Sequence, residues 1–511
     1  MAFKDYDEYT KEWKEIDKLE SEGLPKSALE KIETLYERAK KDKNHPQIVK
    51  CIIYLNKNQM QLEEDALVKS IQRIEDVIPL TEEPAKSILH SMLGELYNNY
   101  LQQNIWNLRN RTEFQAFDDN DILTWPAGKF IEKSKIHYKQ SLVWTDLKGQ
   151  AIDDFKALLS NYKTFNTRST NPSLYNLLVS RAIQAFASDQ NYLDQPKYQF
   201  KIKDKEALGD IDVFLNHSFE SEQKDAGKLL ALHLYQDLLN YHKEQKNEEG
   251  LILTNLGRLQ FVYAHIIHEN KEALYEAALK SFLKKNRNKE TSAEIAYVLA
   301  RYYEMNGNKY QPGVSEDYKA HYKKAIEIAE EAIAKHPSSY GAKQCQNLIK
   351  NIKYPNLSFT IEDVQIPNKP FRSLVQFKNV QKVFIRIIQL SEAQRKTFED
   401  YRNFERRYNY LKGLDTFKSF EQVLPDEGDF QSHSVEIAFP ELPIGYYAII
   451  MDDHPGLDKK GVASVINTAH VTNLAFWQNG SMTDDKLIIV NRNTGHPIED
   501  VKVEFFVQEY N

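Results

Sequence analysis

The sequence predicts a multidomain chain, α first and then β: an irregular helical-repeat domain of α-solenoid type, followed by antiparallel β-sandwich domains. Three observations carry this expectation. Apolar residues recur at three- and four-residue spacing from about Tyr9 to Ile352, the signature of amphipathic helices. Around "NIKYPNLSFTIEDVQIPNKPF" the period shifts, and Leu357, Phe359, Ile361 and Val364 approach the alternation of a strand. At 511 residues the chain is also too long for a single core.

In the helical part, Gly23-Leu24-Pro25, "KNHP" at 43–46 and Pro79 supply breaks between short helices. The clearest repeat lies near its end. One helix carries Leu299, Ala300 and Tyr303; a second carries Ala325, Ala329 and Ala332 and is stopped by Pro337. Small residues at that spacing let two helices approach closely. The pattern resembles the tetratricopeptide repeat, with an insertion between the helices. Weaker echoes are Leu93, Gly94 and Tyr97 in "HSMLGELYNNY", and the stripe Ala28, Ile32 and Leu35. "FDDNDILTWPAGKF" interrupts the period, so the array is expected to be irregular, with a surface for a protein partner or a platform for its neighbours.

The helical domain is expected to span 1–353. A first β-sandwich follows over 354–466, with Pro355, Pro367 and Pro370 punctuating its start and "VQKVFIRIIQL" as a strong strand. Charged, helix-periodic "SEAQRKTFEDYRNFERRYNYLKG" predicts a helical insertion near 391–413. "HSVEIAFPELPIGYYAIIMDD" returns to strands. From 467 to 511 a second sandwich begins: Thr494-Gly495 suits a tight turn, Pro497 suits an edge, and Val501, Val503 and Phe505 alternate with Lys502 and Glu504. Such a sandwich takes about 100 residues, so this second one is expected to be truncated.

Composition excludes several classes. A net charge of −7 argues against nucleic-acid binding, which calls for a basic face. No stretch approaches the ~20 apolar residues of a membrane span, and "MAFKDYDEYTKEW" has no apolar signal core. Cys51 and Cys345 lie far apart on helical patterns and are expected to be buried thiols rather than a bridge.

Three pieces of the β region carry a family resemblance: "LPIGYYAII" (Leu442 to Ile450), "HVTNLAFW" (His470 to Trp477) and "IVNRNTGHPIEDVKVEFF" (Ile489 to Phe506). Together they resemble the start of bacterial alpha-2-macroglobulin family proteins. The helical "EWKEIDKLESEGLPKSALEKIETLYERAKK" is similar to the N-terminal extension of large Bacteroidetes-type members. The resemblance implies macroglobulin-like β-sandwiches and a place in the periplasm or at the outer-membrane surface, with any signal sequence removed. It implies endopeptidase inhibition by trapping, with proteases or envelope proteins as partners. The covalent arm of that chemistry needs Cys-x-Glu-Gln. Cys345 is followed by Gln346, Asn347 and Leu348, and Cys51 by Ile52, Ile53 and Tyr54, so neither fits. This chain would then be scaffold or docking portion; the alternative is a helical module that recruits an envelope partner without trapping.

No catalytic, cofactor-binding or metal-ligating residue is assigned from the sequence, no cofactor is implied, and an enzyme is not expected. His265 and His268 in "AHIIHEN" sit one turn apart on a helical pattern but lack the His-Glu-x-x-His order. Asp118 to Asp121 lack the glycine and closing glutamate of a calcium loop. Asp452, Asp453 and His454 read as a polar loop, and Arg402, Arg406 and Arg407 as a solvated face. No phosphate-cradling glycine loop or Gly-x-Ser-x-Gly elbow occurs.

Overall fold

The computed structural model describes residues 7–63, 65–109, 117–159, 171–188, 200–456, 461, 463–481 and 484–504. The chain is helical first and sheet-forming afterwards, and it divides into two compact units, Met1–Ile295 and Ala296–Asn511. The change from helix to strand falls later, between Ile352 and Asn356.

The first unit opens with α1 (Asp7–Ser21), α2 (Pro25–Lys41), α3 (His45–Gln59), α4 (Ala66–Val77) and α5 (Ala85–Gln103). A short α6 (Ile105–Leu108), α7 (Ala127–Gln140), α8 (Leu174–Ala187) and α9 (Ile211–Asn216) come next. They are followed by α10 (Gly227–Glu244), α11 (Glu248–His265) and α12 (Lys271–Asn286). Start signals are met chemically: the side chains of Asn44 and Asn247 accept the backbone N–H of Gln47 and Gly250, capping α3 and α11. Helices next to each other in sequence pack together, α1 on α2, α2 on α3, α10 on α11. The stripe expected on α2, Ala28, Ile32 and Leu35, is buried with Trp13, Ile52, Leu89 and Tyr97. Gly94 explains the close approach of α5 to α7, because a Cβ there would lie 2.8 Å from the Tyr138 ring. The Ser134 hydroxyl donates to the Gly94 carbonyl at 2.8 Å in the same contact.

Three helices lead into the β part: α13 (Ser292–Gly307), α14 (His321–Lys335) and α15 (Tyr340–Ile352). Ala325, Ala329 and Ala332 are buried as expected. The helix that bears them packs along α15 and also meets α13, where the Tyr322 ring lies against Gly307 and the His321 ring against Tyr303.

The strands are β1 (Asn356–Thr360), β2 (Val364–Gln365), β3 (Phe371–Lys378), β4 (Lys382–Leu390), β5 (Lys418–Val423), β6 (His433–Phe439), β7 (Gly445–Asp452), β8 (Ser464–Val471), β9 (Leu474–Ser481) and β10 (Asp484–Asn491). One sheet has the order β1-β3-β6, a second β2-β8-β7-β4-β5, and β9 pairs with β10 in a ribbon. One apolar cluster draws on the first two: Phe359, Val375 and Ile437 from one, Ile385, Ile387, Ile449 and Val471 from the other.

Between β4 and β5 stand α16 (Glu392–Asp400) and α17 (Phe404–Lys412), with Ser391 and Gln394 forming a capping box. Phe398, Tyr408 and Leu411 from these helices cover Ile388, Leu390, Ala448 and Ile450. The second face of β4 is therefore covered over its C-terminal half, at Ile388 and Leu390, while Lys382, Phe384 and Arg386 on that face are part-exposed.

Two expectations are corrected. The five-stranded sheet is mixed rather than antiparallel, because β2 runs parallel to β8. The chain leaves the first sheet after Thr360 and enters the second alongside β8 in the same direction. In the tail, Gly495 does occupy a left-handed turn at φ +72, and Val490 bridges to Pro497. Val501 to Glu504, expected to be a strand, have no regular structure, and no strand pairs with them among the described residues. Phe505 lies outside those residues.

Candidate functional site

The residues weighed in the sequence are separated by the fold. His265 ends α11, but Ile266 is extended (φ −70, ψ 137) and its neighbour Ile267 donates to the Ile202 carbonyl, so His268 leaves the helix. The two rings do not share a helical face. Asp118 and Asp121 accept backbone N–H groups of Asn120 and Leu123, and Asp119 pairs with Lys129 at 3.2 Å. Their carboxylates hold a turn. Arg402 and Arg406 are exposed, whereas Arg407 donates to the Tyr401 carbonyl and lies over the Phe398 ring.

Asp452 departs from its expected place in a polar loop. It ends β7, is buried, and accepts a hydrogen bond from the Tyr408 hydroxyl at 2.8 Å. Burial raises its pKa above the usual carboxylate range, opposed by the Tyr408 and Ser464 hydroxyls.

The most concentrated polar chemistry in the second unit lies in the loop from Leu424 to Ser432, between β5 and β6. Sequence reading passed over it. The glycine at position 428, at φ +63, lets the loop fold back on itself, while Phe430 is held at φ +59, where bulky residues are rare. The bend is fixed by Asp426, whose carboxylate accepts the Gly428 N–H at 2.9 Å and the Gln381 amide at 2.8 Å. These donors hold the Asp426 carboxyl below its ordinary range. The buried Gln431 amide reaches the carbonyls of Gly307, Tyr318 and Lys319, tying the loop to the end of α13 and the segment before α14.

At the centre is the His433 imidazole between two carboxylates. Its Nε2 lies 2.9 Å from Asp429 Oδ1, and its Nδ1 lies 3.7 Å from Glu427 Oε1. The other Glu427 oxygen, Oε2, pairs with Lys319 at 2.9 Å. Lys319 is held well above its usual pKa by its bonds to Glu427 and Glu316. Asp429 is 8% exposed, and its Oδ2 is buried without a hydrogen-bond partner. Glu427, Asp429 and His433 each bring one donor atom within 4.8 Å of the other two, a set able to hold a metal ion. They line a polar cavity of about 550 Å³ together with Lys353, Lys382 and Asp453. The sequence signal was present in "DEGDFQSH", where an acidic turn precedes a histidine four residues after Asp429.

The first unit holds a different feature, an apolar groove of about 470 Å³ between α3, α5 and α8. Ile53, Met92, Leu96 and Leu177 line it, with Glu95 and Arg181 paired at 2.7 Å beside it.

No protein-family model matches the chain, and no curated protein matches it. Among solved structures, native alpha-2-macroglobulin from Escherichia coli, in a structure spanning domains MG0-NIE-MG1, is similar over 28% of this chain, at 12% identity and a TM-score of 0.21. The match takes in 47% of that structure's length.

Proposed function

We propose that this chain is the N-terminal scaffold and docking portion of an alpha-2-macroglobulin-like protein of the cell envelope. In this reading the β1–β8 region is a macroglobulin-like sandwich, the helical array is its docking extension, and the whole protein acts in protease inhibition. The observation that carries it is the apolar core drawn from two sheets, to which the "LPIGYYAII" stretch that bears the family resemblance contributes Leu442, Tyr447 and Ile449. β9 and β10 would open a second sandwich, which would cover the exposed Leu474, Phe476 and Trp477. The chain would itself be non-catalytic. Among the described residues no helix is long and apolar enough to cross a membrane.

The test is to incubate the natural protein that carries this chain with proteases of several classes. Trapping suppresses cleavage of large protein substrates while small peptide substrates are still cut. Unchanged cleavage of both overturns the trapping role. That result would favour the second reading, a helical module that binds an envelope protein without trapping, which the apolar groove of the first unit supports.

A further inference from the structure

We infer that Glu427 and His433 bind a divalent transition-type cation, of which Zn²⁺ is the representative, with Asp429 orienting the imidazole. This is independent of the function proposed above.

The His433 tautomer is set by its carboxylate neighbour. The 2.9 Å contact to Asp429 Oδ1 requires a hydrogen on Nε2. In the tautomer that carries this hydrogen alone, the Nδ1 lone pair faces Glu427 Oε1, 3.7 Å away. Two electron-rich atoms face one another across a gap too long for a hydrogen bond, and a positive charge between them removes the conflict. With Zn–N and Zn–O distances of about 2.0–2.2 Å, a separation of 3.7 Å corresponds to a ligand–metal–ligand angle of roughly 120°. Lys319 does not compete for the oxygen concerned, since it pairs with Oε2.

The buried end of the cluster points the same way. Asp429 Oδ1 already accepts the Gln431 backbone N–H at 2.9 Å as well as the imidazole. Its Oδ2 is buried with no hydrogen-bond partner, a cost that a nearby cation would offset. A carboxylate that fixes the tautomer of a ligating histidine is the usual outer arrangement of a metal site. The other charged groups of the cavity are engaged elsewhere. Asp453 Oδ2 accepts the Ala463 N–H, Lys382 pairs with Glu421, and Lys353 with Glu330. The cavity of about 550 Å³ has room for water to complete the coordination shell. An imidazole donor beside a carboxylate selects Zn²⁺ and its neighbours over Mg²⁺ or Ca²⁺, which prefer oxygen alone. Bound there, the ion would clip the loop that Gln431 ties to the helices of the same unit.

The test is isothermal titration of the chelator-stripped 511-residue chain with zinc sulfate, and separately with calcium chloride. The expected result is one Zn²⁺ site per chain and no matching calcium site. Glu427→Gln and His433→Gln should abolish the site, and Asp429→Asn should weaken it by roughly 10–100-fold. Zinc should also raise the melting temperature of the unaltered chain but not of Glu427→Gln. Glu427 is exposed, so that variant keeps the fold and decides the matter alone. Absence of zinc binding, which would mean that a proton rather than a metal ion lies between His433 Nδ1 and Glu427, overturns the inference. So does zinc binding that Glu427→Gln leaves unchanged.

Discussion

The Tyr408 hydroxyl donates a 2.8 Å hydrogen bond to Asp452 Oδ2, fastening helix α17 to the end of strand β7. The donor sits in the inserted helical pair, 44 residues before its acceptor, and both groups are buried. The covering of the five-stranded sheet therefore rests on a polar pin as well as on Phe398 and Leu411.

Tyr408→Phe removes the donor and leaves a buried carboxylate, at an expected cost of about 1–3 kcal/mol at neutral pH. Burial already raises the pKa of Asp452, so the folded state holds its proton to higher pH than the unfolded chain does. Its contribution therefore opposes folding increasingly as pH rises above the ordinary carboxylate value. Loss of the hydroxyl should raise that pKa further, making the variant's deficit larger at pH 7 than at pH 4. Urea midpoints of both proteins at the two pH values check this, and an equal deficit at each contradicts it.

Arg258 should be the costliest single truncation in the first unit. Its guanidinium is fully buried and donates to the Ala207 and Gly209 carbonyls at 2.8 Å and to Asn255 Oδ1 at 3.0 Å. It also lies 4.5 Å over the Phe214 ring. Burial lowers its pKa to about 9. Arg258→Met strands two carbonyls and should cost about 2–4 kcal/mol. Arg258→Lys should recover little, because an ammonium cannot reproduce the planar fork. Denaturant titration measures both.

Mild acid should weaken the helical unit. Burial lowers the pKa of His137 to about 4, reinforced by His90, whose Nδ1 lies 2.9 Å from that of His137. Burial alone brings His242 to about 4 as well. Unfolded histidine takes its proton near pH 6.5, so between about 6.5 and 4 the unfolded chain binds more protons and stability falls as pH falls. The decline attributable to His137 should reach about 3 kcal/mol at most. His137→Phe, which keeps an aromatic ring against Tyr97 and His90, should flatten part of the profile. Stability that is constant from pH 6.5 to 4.5 would count against the assignment.

Both thiols should be silent in the native protein. Cys51 and Cys345 are buried and form no disulfide, and burial pushes the Cys51 thiol up to about 12. A thiol-specific reagent should modify neither in native buffer and both in guanidinium. Rapid native modification of either would refute this.

Legibility in the sequence followed the reach of the forces involved. The stripe Ala28, Ile32 and Leu35 and the alternation of Leu357 and Phe359 were readable because burial repeats with the local period. His265 and His268 misled because one extended residue, Ile266, breaks the helix without a proline or glycine to announce it. Asp452 looked like a loop residue because its partner, Tyr408, lies in a distant insertion. The parallel course of β2 depends on a crossing between sheets that no short-range pattern encodes. The Glu427–Asp429–His433 cluster was half visible: its residues adjoin in sequence, but the orphaned oxygen and the 3.7 Å gap exist only in three dimensions.

Only Thr472 and Asn473 separate β8 from β9. The turn after β10 is tied back beside them, with the Arg492 N–H bonded to the Asn473 carbonyl at 2.7 Å and its guanidinium to the Val364 carbonyl at 3.3 Å. The ribbon is thus a lever with almost no slack at its fulcrum. Torque applied to it arrives directly on β8, the strand zipped between β2 and β7, and the ladder between β7 and β8 resists it in shear.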